Sequence, residues 1–141
     1  NNNAVRDRCR DIDRSWATLM DELAASGLLD ETIVLWMGDF GRTPRINAQA
    51  GRDHFPTITP VVVGGAGLAS GVCVGSTSSG GTQIVGDSVT TADLFATLLH
   101  QTGVDPAKEF RTRFGSPAAA TDSGQIISEL TGRSPARPDT I

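Results

Sequence analysis

TIVLWMGDFGRTPRINAQAGRDHFP, residues Thr32–Pro56, opens on a short run of apolar and β-branched residues and then turns sharply polar. A continuous apolar run of this length suits a strand covered on both faces, as in a parallel sheet. Two acid-bearing clusters follow it, Gly38-Asp39-Phe40-Gly41-Arg42 and Gly51-Arg52-Asp53-His54, with a polar loop between them. In open α/β sheets, ligands bind beyond the carboxyl ends of the strands, where loops converge on a rigid scaffold. The stretch therefore reads either as a functional strand end or as a well-capped turn.

Upstream of this strand, apolar residues fall at Val5, Cys9, Ile12, Trp16, Leu19, Met20 and Leu23, which makes one helical stripe. Arg6, Asp7, Arg10, Asp13, Arg14 and Asp21 lie mostly off it as a solvated face. Gly27 suits the residue after the helix, so the helix is predicted to end near Ser26. Helix followed by buried strand is half of a βαβ unit.

Downstream, Pro60–Val63 reads as a second strand that stops at Gly64-Gly65-Ala66-Gly67. Eight of the 16 glycines lie between Thr59 and Thr91, where Asp87 is the only charged residue. No Gly-Lys-Ser/Thr follows these glycines and no GxGxxG opens a helix, so turn chemistry and short hairpins are expected rather than a phosphate cradle. Thr91–His100 is predicted as a second helix with Thr91 as its N-cap, acid in its first turn and Gly103 at its end. Beyond Asp105-Pro106 the chain reads as irregular, with a short helix expected over Ile126–Leu130 and an extended tail over 131–141.

A chain of 141 residues is sized for one domain, with the net charge of −4 spread and no basic run. A nucleic-acid footprint is therefore not expected. No apolar stretch reaches a membrane span and no leader pattern stands at the front, so the compartment stays open, export of a full-length form included. Cys9 and Cys73 lack the spacing of a thiolate metal site and read as buried or half-buried thiols.

Among residues able to carry chemistry, Asp39 is either a metal ligand or general base at the strand end or the acceptor of an Asx turn with Gly41. His54 either returns to the same edge as a ligand or is a lone loop histidine. Asp53 either orients the His54 imidazole or is a surface acid. Arg42 and Arg52 either fork onto a phosphate or sulfate or are ordinary exposed arginines. His100, beside Leu99, is expected in a core or capping role.

The order of the helix, SGLLDETIVLWMGDFGRTPRIN, GRDHFP, TPVVVGGAG and SVTTADLFATLLHQTGVDP resembles the C-terminal part of the alkaline phosphatase superfamily, with its sulfatases, phosphatases and phosphoglycerate mutases. The resemblance covers about Asn1 to Leu130. More closely the chain is similar to an uncharacterised bacterial branch, the domain-of-unknown-function family 1501, in which G-[DE]-F-G-R-T-P and G-R-D-H recur. The resemblance implies an α/β fold: part of an alkaline phosphatase-like sheet with flanking helices and a Gly-rich hairpin region, over residues 1–130.

In active superfamily members an Asp-His pair after one strand and a later His help hold two divalent metals beside a Ser, Thr or formylglycine nucleophile. Asp39 matches the Asp of that pair and His54 the later His, while Phe40 stands at the paired His position and cannot ligate. No C-x-P-x-R surrounds Cys9 or Cys73, so the nucleophile is expected outside this chain. In the related branch an Asp-Thr-His motif lies just before an Asn-Asn pair like that of Asn1-Asn2-Asn3. The expectation is thus a fragment of a sulfatase- or phosphatase-like hydrolase of phosphate or sulfate esters, with an incomplete zinc or manganese site. By itself such a chain is expected to be inactive and to self-associate through an exposed strand edge. The alternative is a non-catalytic binding or scaffold protein that retains the fold.

Overall fold

The computed structural model describes residues 2–131. They form a mixed α/β arrangement of two helices and four small antiparallel strand pairs. The tail expected over 131–141 falls, apart from Thr131, outside the described residues.

Helix α1 spans Asn2–Ala25. It stops where the spacing predicts: the Ser26 amide donates to Glu22 O at 3.0 Å, the Gly27 amide to Ala24 O at 3.1 Å, and Gly27 turns the chain at φ 76°. A 3-10 turn, Leu28–Asp30, leads to β1, Val34–Met37. The covered side chains among residues 4–25 of α1 all lie in its second half. The Trp16 and Trp36 rings stand 5.4 Å apart, and Trp16, Met20 and Leu23 are half-buried. Val5, Ile12 and Leu19 of the same stripe are 56 %, 42 % and 44 % exposed.

The partner of β1 is β4, Val61–Gly64, and the pairing is antiparallel, with Met37 opposite Val61 and Val34 opposite Gly64. This corrects the parallel βαβ expectation. The connection from Met37 leaves and re-enters at one end of the pair because it folds back on itself through β2, Gly41–Arg42, and β3, His54–Phe55. A return to the same end sets an antiparallel neighbour, whereas a parallel one needs a crossover to the opposite end. Nor is β1 covered on both faces: Val34 and Leu35 are half-buried, but Trp36 and Met37 are exposed. Gly41 is buried, with the Ile58 carbonyl occupying the space a Cβ would need. That close crossing fixes the loop against β4's approach.

The Gly-rich region forms the hairpin β5–β6, Ser76–Thr77 with Ile84–Val85, as its turn chemistry implies. Helix α2 spans Thr91–Gln101, but its N-cap is Thr90, one residue earlier than expected. Thr90 and Asp93 complete a capping box: the Asp93 amide donates to Thr90 Oγ1 at 3.1 Å and the Thr90 amide to Asp93 Oδ2 at 2.8 Å. This helix carries the core, with Leu94, Ala96 and Thr97 buried beneath Ile127.

Four further expectations are corrected. Of the core or capping role expected for His100, exposure removes the core and leaves its place in the last turn of α2, because the segment covering α2 crosses it at Asp93 and Thr97 and leaves toward Leu68 and Ala69. Ile126–Leu130 makes a single turn rather than a helix, since the Gln125 and Ile127 amides are drawn out across α2 by side chains. The stretch read as irregular contains the hairpin β7–β8, Glu109–Arg111 with Pro117–Ala119; a proline opening the second strand masks that pattern. Both cysteines are exposed, against the expectation of covered thiols.

Candidate functional site

The site is the excursion from Met37 to Pro56. Strands β2 and β3 place Arg42 opposite His54 and Gly41 opposite Phe55. The Phe40 ring, half-buried, then packs against the His54 imidazole with centroids 4.3 Å apart and planes at 50°. The Arg42 guanidinium lies 5.5 Å from the same ring centroid, a cation–π distance. Phe40, at the position where the resemblance implies a histidine, thus forms the apolar post on which His54 and Arg42 lean.

Asp39 immediately precedes this post and is exposed. Its Oδ1 accepts the Phe40 amide at 2.8 Å, a local bond to the next residue, and not the Asx turn with Gly41 that was the alternative. His54 is also exposed, and among the described residues neither ring nitrogen has a hydrogen-bond partner. The pairing of β2 with β3 therefore brings the residues flanking Asp39 and His54 to one end of the excursion.

Arg52 and Asp53 serve the loop itself. Arg52 Nη1 donates to the carbonyls of Thr43, at 2.7 Å, and of Pro44. Asp53 Oδ1 accepts from Asn47 Nδ2 at 2.7 Å, while its backbone exchanges bonds with Thr43. Asp53 has no hydrogen bond to His54 among the described residues.

Asn47 is the residue that sequence reasoning passed over. Its Oδ1 accepts the amides of Gln49 at 3.1 Å and Gly51 at 2.9 Å, its backbone closes onto Gly51 and Ala50, and Ala50 sits at φ 55°. An asparagine followed four residues later by glycine is the signal, since its side chain mimics a backbone turn. Beside it lies an open hollow of about 300 Å³ between Thr43–Ala48 and Asp53.

The metal reading requires three or four protein donors for a zinc centre. Among the described residues no group of three or more His, Cys, Asp or Glu side chains converges. Asp39 and His54 would supply two of those donors. Among the described residues, too, no helix is long and apolar enough to cross a membrane.

A family model, "Protein of unknown function (DUF1501)", matches residues 1–131, and the chain belongs to that family. No curated protein and no solved structure matches it.

Proposed function

We propose that this DUF1501 member contributes Asp39 and His54 to a hydrolase-like site for phosphate or sulfate esters, with a divalent metal, zinc or manganese, completed by donors beyond the described residues. The observation supporting this reading is the post-and-ladder geometry: Phe40 and β3 hold an imidazole with two uncommitted nitrogens at the end where Asp39 emerges. An exposed carboxylate and an oriented, unpaired imidazole are the donor types such a site uses. Arg42, held over Phe40 without a carboxylate partner among the described residues, is the cation available to an ester's anionic group. With only these two donors together among the described residues, the chain alone is expected to bind metal weakly and to be inert toward esters.

A second reading, a binding or scaffold role without catalysis, is favoured by the commitment of Arg52 and Asp53 to the loop's own hydrogen bonds. One experiment separates the two. Zinc and manganese content, thermal unfolding and turnover of a phosphate and sulfate ester panel are measured with the remaining donors supplied, for the protein carrying Asp39 and His54 and for its Asp39→Asn and His54→Ala variants. Loss of metal and turnover with an unchanged melting curve supports the hydrolase reading. A metal-replete protein inert to the whole panel, or metal content indifferent to both substitutions, transfers the conclusion to the scaffold reading.

A further inference from the structure

The stripe on α1 is more regular than a globular helix requires. Val5, Cys9, Ile12, Trp16, Leu19 and Leu23 follow alternating steps of four and three, the repeat of a left-handed coiled-coil seam. The chain's own body takes one side of this seam through Trp16, Met20 and Leu23. The other row, one residue in seven, is Val5, Ile12 and Leu19, and it stays 56 %, 42 % and 44 % exposed, on a helix whose residues 4–15 are all exposed.

We propose that this row is a self-association seam and that its occupant is α1 of a second copy, running antiparallel. Orientation follows from two features. The first is charge. Residues 4–14 carry Arg6, Arg8, Arg10 and Arg14 against Asp7, Asp11 and Asp13, four bases less three acids, whereas residues 15–25 carry only Asp21 and Glu22. An antiparallel pair lays the basic half over the acidic half, and a parallel pair lays like on like. In the antiparallel register Ile12 packs beside Trp16 of the second copy, and Arg8 and Glu22, both flanking the seam on the same side, face each other across it twice by symmetry. The one like-charged meeting, Asp13 with its own symmetry mate, lies on the opposite flank. The second feature is space. Each body sits on the C-terminal half of its helix, so antiparallel copies hold their bodies at opposite ends, where parallel copies would crowd them together. The projecting half of one helix then reaches the half-covered face of the other, where Trp36 is still 44 % exposed.

Analytical ultracentrifugation of the full chain, run under reducing conditions across a concentration series, tests this. The expected result is a monomer–dimer equilibrium that Ile12→Glu abolishes at every concentration while far-ultraviolet circular dichroism keeps the helix signal. Glu22→Arg is expected to weaken the dimer and Arg8→Glu added to it to restore it. In a Cys73→Ser background, Leu19→Cys is expected to form an intermolecular disulfide with native Cys9 on oxidation. A parent chain monomeric throughout overturns the seam, whatever else covers that row. A Cys9–Cys9 disulfide in the parent chain overturns the antiparallel arrangement.

Discussion

The two helices of this protein reverse what their lengths imply. Helix α1 has 24 residues and the stronger apolar pattern, yet none of its described side chains is fully buried. Helix α2 has 11 residues and carries Leu94, Ala96 and Thr97, which with Ile127 make the buried core. The difference lies in what each helix is given to pack against. The two-stranded β1–β4 sheet offers α1 a narrow platform, and a pair of strands alone is marginal. Helix α2 instead meets a segment bonded to it at fixed points: Asp93 Oδ1 accepts the Gln125 amide at 2.7 Å, and Thr97 Oγ1 accepts the Ile127 amide at 2.9 Å. Periodicity names the face a helix would bury, and polar bonds to a neighbour decide whether it does.

The largest effect expected from this contrast is in the α2 core. Leu94→Ala empties a site that is 7 % exposed and is expected to cost about 2–5 kcal/mol in a urea unfolding series. A loss close to zero would remove α2 as the helix that holds the core. Next comes Thr97→Val, which keeps the shape but removes a fully buried hydroxyl that also donates to Asp93 O at 2.7 Å. Leaving the Ile127 amide without its acceptor is expected to cost about 1–3 kcal/mol, with faster hydrogen exchange over residues 124–131.

Asp93 gives the contrast a pH dependence. Its carboxyl is held below 3.8 first by the Thr90 hydroxyl, then by the Gln125 and Thr90 amides, while partial burial opposes them. A depressed carboxyl contributes stability that is fully present above the unfolded pKa and is lost as pH falls through the folded one. Denaturation midpoints taken from neutral pH downward should therefore drop below pH 3.8, and Asp93→Asn should flatten that acid limb. An unchanged limb in the variant would show that the latch is carried by Thr97 alone. The smallest effect belongs to α1: on dilute, dissociated protein, Ile12→Ala is expected to shift stability by no more than about 0.5 kcal/mol. A larger loss would mean that the exposed row is packed within one chain after all.

Much of the local structure was legible in the residues. The α1 stripe and Gly27 stop, the strand from Val34, the strand ending at Gly64, the Gly-rich hairpin and the second helix are all short-range matters of spacing, turn chemistry and caps. The return of Gly51–His54 toward Gly38–Arg42 was one of two readings the residues left open, and the pairing of β2 with β3 decides it. The roles of Arg52 and Asp53 were not visible, since an arginine that closes a loop and one that awaits an anion look alike until their partners are placed.

By itself, then, the sequence determined the stop of α1 at Gly27, the Gly-rich hairpin and the second helix, and which residues are available for chemistry. Tertiary structure alone decided the direction of β1's partner, the exposure of Trp36, Met37 and His100, the stretching of Ile126–Leu130 across α2, and the packing of His54 and Arg42 against Phe40. The physical reason is range. Backbone propensity and periodicity act over one turn or one strand, whereas strand direction and burial are properties of pairs of segments far apart in the chain. A continuous apolar run such as Thr32–Met37 satisfies either strand direction equally well, and only the return path through β2 and β3 distinguishes them.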